Sequence, residues 1–174
     1  MADAVSFGSR EYLVFLSLLL FSRAADFFST WVATPNLVLE ANPIARKLGW
    51  RWGIPVNFAL CVGFAGWPLP AIIISTTSVL VAARNFQAAW LMRTTGEREY
   101  GDWMSDRMRE TPFGLFLFCL FAQTLLVGGV GAALLAFCGN YLVPLGVGMG
   151  IIAYALAIFI YTLISVWRRR GVAG

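Results

Sequence analysis

Arg23 and Asp26 stand three residues apart inside an otherwise apolar stretch, Tyr12 to Ala33. A guanidinium and a carboxylate at that spacing share one helix face, and with about 100° of rotation per residue Thr30 joins them on the same narrow arc. The stretch is long enough to cross a bilayer, where ionisable groups are costly, face the bundle interior and pair with one another. Such a set can carry a proton or small ion, or it can lock helices together as a neutralised pair with Thr30 bonded to Asp26.

A second polar run, Ser75 to Ser78 followed by Arg84 and Asn85, lies in another apolar stretch. Ser78, Ala82, Asn85 and Ala89 recur at spacings of three and four, a small-and-polar seam that permits close helix approach. Counting residues inward from the outer end of each stretch places Arg84 at about the depth of Asp26. An Asp26–Arg84 contact is therefore expected, competing with or joining the local Arg23–Asp26 pair. Two guanidiniums against one carboxylate leave a positive charge over, which hydrocarbon penalises. Glu40 is the nearest spare carboxylate, so the string Glu40-Ala-Asn42-Pro43 is expected to fold back toward the cytoplasmic mouth of the bundle. The alternative has Arg84 snorkelling to the inner surface and Glu40 in an ordinary loop.

The elements that must hold these residues follow from length and hydropathy. The chain has 174 residues, 59% of them hydrophobic and 13% charged, with a mean hydropathy of +0.74. That composition cannot solvate its apolar surface as a small globule, so a single all-α membrane domain is expected. Its surroundings are the lipid bilayer. The first span is read over residues 11–33 and retained, because Arg23 sits where a signal-peptide cleavage site wants a small residue. Residues 54–92 would measure about 58 Å as one helix, nearly twice a bilayer core of about 30 Å. Pro68 and Pro70 supply a break, giving spans at about 52–67 and 71–92, with one kinked span as the alternative. Asn42 before Pro43 suits a cap and first helical position, so a short helix from Pro43 to about Leu48 is expected. Residues 97–110 place Tyr100, Trp103, Met104 and Met108 at helical spacing against a charged remainder, an amphipathic helix for the membrane surface. Thr111-Pro112 opens a span over 112–137, and the last covers 143–167 before Arg168, Arg169 and Arg170.

Charge orients the bundle. With five spans and the N-terminus outside, Arg46, Lys47, Arg51, Arg93, Arg98, Arg107, Arg109 and the C-terminal arginines all face the cytoplasm, leaving Arg10 outside; four spans would put Arg46, Lys47 and Arg51 outside. The expectation is five spans, a cytoplasmic C-terminus and the bacterial inner membrane. The net charge of +4 is explained by this asymmetry, and no long basic surface for nucleic acid exists. The chain has no His, and Cys61, Cys119 and Cys138 lie in apolar runs without paired spacing, so neither a metal site nor a metal-bound cofactor is expected.

Asp26-x-x-x-Thr30 followed by Glu40-x-Asn42-Pro43 resembles the signature of a family of small bacterial and archaeal membrane proteins of unknown function, over about residues 12–92. The resemblance implies a three-helix core with Asp26, Thr30, Glu40, Asn42 and Pro43 as its characteristic positions. This chain adds Arg23 and two further spans, and it has Asn57 where that family would place a basic residue.

The last two spans are rich in small residues, Gly128, Gly129 and Gly131 in one and Gly146, Gly148 and Gly150 in the other, which suits a helical hairpin or a homo-oligomer or partner-complex seam. The function expected is a non-enzymatic helical bundle, either a scaffold or accessory subunit or a handler of a proton or small ion, centred on Arg23, Asp26, Thr30, Arg84 and Asn85. The alternative is a lipid-active enzyme with Glu40 or Asp26 as general base and Arg46, Lys47 and Arg84 clamping a phosphate head group.

Overall fold

The computed structural model describes residues 4–171, with side chains as far as Trp167. Those of Arg168, Arg169 and Arg170, read above as a cytoplasmic tail, lie outside the described residues. The described chain is all-helical: α1 (Arg10–Ala33), α2 (Pro43–Phe64), α3 (Pro68–Thr95), α4 (Glu97–Glu110), α5 (Phe113–Phe137) and α6 (Leu142–Gly171).

Four of these, α1, α3, α5 and α6, are long and apolar enough to cross a membrane. The fit to lipid shows on their surfaces. Phe118, Leu125 and Leu126 of α5 are 69–74% exposed, a surface for which acyl chains rather than water are the compatible solvent. The second span expected over 52–67 is not among the four. α2 instead begins at Pro43, with the Asn42 side chain accepting from the Ile44 and Ala45 amides, and breaks at Gly49 (φ 62°, ψ −171°) before continuing to Phe64. Only glycine adopts that backbone without strain, so the short helix ends there and the longer limb turns to a new axis.

Helix directions follow from which residues pair. Between α1 and α3 the sequence offset is constant at 55 for both Arg23–Ser78 and Thr30–Asn85, so these two helices run parallel. At one end the Val5 amide donates to the Gly66 carbonyl just before α3, and at the other Thr34 donates to Glu97 just after it. α2 runs against both, from Trp50, whose indole N–H donates to the Pro35 carbonyl, to Val62, whose carbonyl accepts from Tyr12. α6 lies parallel to α3, with Gly146 against Ile72 and Gly150 against Thr76, and α5 returns along α6 in the opposite sense, with Gly131 against Gly148 and Phe121 against Phe159.

Small residues set the closest approaches. A Cβ on Gly131 would lie 2.8 Å from the Gly148 carbonyl oxygen, and one on Gly150 would lie 2.7 Å from Cβ of Thr76. Gly131 and Gly148 thus serve the α5–α6 hairpin, and Gly146 and Gly150 the docking of α6 to α3. The core near the Arg10 end is apolar, with Tyr12, Leu19, Cys61, Ala65 and Ala71 buried together. α4 crosses the opposite end: Tyr100 is buried, Trp103 remains 47% exposed, and Thr111 bonds back to the Arg107 carbonyl to finish α4 rather than capping α5.

Candidate functional site

Arg23 is the hub of a polar cluster that joins three helices. Its Nη1 donates to Asp26 Oδ2 at 2.7 Å within α1 and to Ser78 Oγ at 3.1 Å on α3. Its Nε donates to Asn57 Oδ1 on α2 at 2.9 Å, and Nη2 donates to the same oxygen. The guanidinium also lies over the Phe27 ring, 5.6 Å from its centroid. Asn57 is held for this task by donating its own amide to the Gly53 carbonyl at 2.8 Å. About two turns farther along the α1–α3 seam, Asn85 Nδ2 donates to Ser29 and Thr30, and Ser29 donates to the Asp26 carbonyl. The seam is closed by small buried side chains, Ser78, Ala82 and Ala89.

The expected Asp26–Arg84 contact is not formed, and Arg84 has no ion pair among the described residues. At the constant offset of 55, Arg84 lies level with Ser29, about 4.5 Å beyond Asp26, and it also points another way. Asn85 faces α1, so Arg84 is turned about 100° from that seam, and it shares an azimuth with Thr77 seven residues earlier, which faces α6. Its Nη1 is buried without a hydrogen-bond partner among the described residues. Thr30 does not bond to Asp26 either; it accepts from Asn85.

Glu40 approaches the cluster from the loop between α1 and α2. Its Oε1 accepts from the Asn42 amide at 2.7 Å. Burial pushes the Glu40 carboxyl above its ordinary range, partly offset by hydrogen bonds from the Asn42 and Ala41 amides. Pro43 starts α2 and is exposed, and Arg46 reaches a cavity of about 550 Å³ that Glu40 also lines.

The residue pattern gave no sign of Glu97. Its carboxylate accepts from Thr34 Oγ1 (2.8 Å), the Asn36 amide (2.9 Å), Asn36 Nδ2 (3.0 Å) and the Val38 amide (3.1 Å). These bonds fasten α4 to the turn that ends α1, where Leu37 holds a φ of 56°, a strained conformation for a non-glycine residue. Partial burial alone would raise the Glu97 carboxyl, but the four hydrogen bonds together outweigh it and hold it below the ordinary value of 4.5. A depressed folded-state pKa contributes stability above the unfolded value and loses it as pH falls through the folded one. Hydrogen exchange at the Asn36 and Val38 amides is therefore expected to accelerate below about pH 4.5 beyond its intrinsic pH dependence, and Glu97→Gln to show the faster opening already at pH 7.

Among the described residues no group of His, Cys, Asp and Glu could hold a metal ion. Comparison with protein-family models, with curated proteins and with solved structures finds no match for this chain.

Proposed function

We propose that this chain is a non-enzymatic, five-crossing bundle of the bacterial inner membrane, a scaffold or accessory subunit whose Arg23 centre locks α2 onto the α1–α3 pair. The observation that carries this reading is the distribution of Arg23's donors: every nitrogen of the guanidinium is used, and the acceptors come from three helices. A group consumed in this way is a tie rather than a mobile carrier. Asp26 is the member that keeps capacity, since Oδ1 has no hydrogen-bond partner among the described residues, and ion or proton handling would centre there.

The fifth crossing is supported by helix direction. Two parallel spans, α1 and α3, require the chain between them to return across the membrane, and α2 follows that course. Its limb after Gly49, residues 50–64, would extend about 22 Å, short of a hydrocarbon core of about 30 Å, a mismatch that local thinning and the flanking Trp50, Trp52 and Trp67 accommodate. Arg46, Lys47, Arg51, Arg93 and the arginines of α4 then share one end, and Arg10 alone marks the other, which orients the C-terminus to the cytoplasm.

A membrane-impermeant thiol reagent tests this topology on single cysteines in a background lacking the native three. Trp67→Cys and Asn140→Cys are expected to label from outside intact cells, and Arg98→Cys only in inverted vesicles. Lys47→Cys should behave as Arg98→Cys does, and Lys47→Cys labelling from the same side as Trp67→Cys would remove the five-crossing reading, since α2 alone separates those two positions. The lipid-active enzyme is the second reading, favoured by Glu40 and Arg46 lining one cavity.

A further inference from the structure

At the end of the bundle that carries Glu97, a cavity of about 550 Å³ opens between the α1–α2 loop, α4 and the last turns of α6. Its wall carries Glu40, Asp102 and Asp106 against Arg46 and Arg109. Arg109 is already beside Asp106, 3.6 Å away, which leaves Glu40, Asp102 and Arg46 without an ion pair among the described residues. Among the described residues the uncommitted charge is thus two carboxylates and one guanidinium. Glu40 is fixed in place by its bond from the Asn42 amide, and the remaining wall includes Val38, Leu39 and Ala41, with Val38 46% exposed.

We infer that this cavity binds the head group of an aminophospholipid, with Arg46 taking the phosphate and Glu40 and Asp102 taking the primary ammonium. Three features select that ligand. Mixed charge suits a zwitterion, and the surplus carboxylate among the described residues disfavours an anionic head group such as phosphatidylglycerol. An ammonium with three N–H donors can bond to carboxylates, and the trimethylammonium of phosphatidylcholine cannot. The cavity sits where α1 and α6 end, at the level of lipid head groups in the bundle proposed above, and its apolar wall offers a path for the first acyl carbons. The inference rests on that membrane placement and is independent of the Arg23 lock, so an absence of Arg23–Asn57 coupling would leave it standing.

The test is native mass spectrometry of the full-length protein released from nanodiscs containing equal parts of phosphatidylethanolamine, phosphatidylcholine and phosphatidylglycerol. Phosphatidylethanolamine should be retained over each of the others by about fivefold. Glu40→Gln should abolish its advantage over phosphatidylcholine, and Arg46→Ala should weaken retention of both. Asp102→Asn, on the surface of α4, repeats the Glu40 test should that variant fail to fold. Equal retention of the three lipids, preference for phosphatidylglycerol, or an ethanolamine preference unchanged in both carboxylate variants would overturn the assignment. Free phosphoethanolamine binding as tightly as the lipid would overturn the membrane source of the ligand.

Discussion

Arg23→Met is expected to destabilise the protein by about 3 kcal/mol, measured by reversible unfolding in mixed micelles. The value is set at the low end for breaking a buried ion pair because the Arg23 side chain keeps 27% of its surface accessible and Asp26 keeps 16%. Three costs combine. Asp26 is left as an uncompensated carboxylate in a low-dielectric site, Asn57 Oδ1 loses both of its donors, and Ser78 Oγ loses one. The damage is expected to fall on α2, which touches the rest of the bundle at few other polar points, chiefly Tyr12 to Val62 and Trp50 to Pro35. Adding Asp26→Leu should recover a large part of the loss, since an apolar pair of similar volume removes the desolvated charge that the single change strands. A double variant no more stable than Arg23→Met would show that charge compensation is not the source of the effect.

Gly150→Ala is expected to cost about 1–3 kcal/mol by overpacking, despite alanine's advantage of about 1 kcal/mol in a helix. The added methyl would lie 2.7 Å from Cβ of Thr76 and 3.0 Å from the Ile73 carbonyl oxygen. Neither atom is the end of a flexible side chain, so α6 has to withdraw from α3. Withdrawal also strains the Thr77 hydrogen bond to the Gly150 carbonyl, 3.1 Å long, which is one of the few polar links between the α1–α3 pair and the α5–α6 hairpin. Gly129→Ala is the matched control, because nothing lies within 4 Å of its added carbon. It should be neutral or slightly stabilising. Equal effects of the two substitutions would mean that helix propensity, and not the close approach, governs both.

Much of the architecture was legible as hydropathy and punctuation. The apolar runs, the Pro68-Leu69-Pro70 break and the Asn42-Pro43 helix start all rest on local physics, and residue types report local physics well. The seam of Ser78, Ala82, Asn85 and Ala89 was legible for the same reason, since periodicity alone puts those residues on one face. What sequence could not supply was azimuth and long-range choice of partner. Arg84 and Asp26 were matched by depth, yet one residue of helical rotation separates Arg84 from the seam that Asn85 occupies. Asn57 stood out only as a place lacking a basic residue, and its role as the acceptor for Arg23 depends on how α2 is rotated after the Gly49 break. Glu97 lies 61 residues from Asn36, and no spacing rule links a helix-starting glutamate to the amides of a distant turn. The glycine-rich helices offered two outcomes, a hairpin or a seam between copies; the contacts at Gly131, Gly148 and Gly150 are made within the chain.

One tie holds α2 in the bundle, the Arg23 guanidinium bonded to Asn57 across the α1–α2 boundary. A double-mutant cycle with Arg23→Met and Asn57→Leu measures it directly, in the lipid-like environment where the protein unfolds reversibly. A coupling energy of about 1–3 kcal/mol is the expected result, the range for residues that share one hydrogen-bond network. Additivity of the two changes to within about 0.5 kcal/mol would contradict it, and α2 would then be held by packing alone.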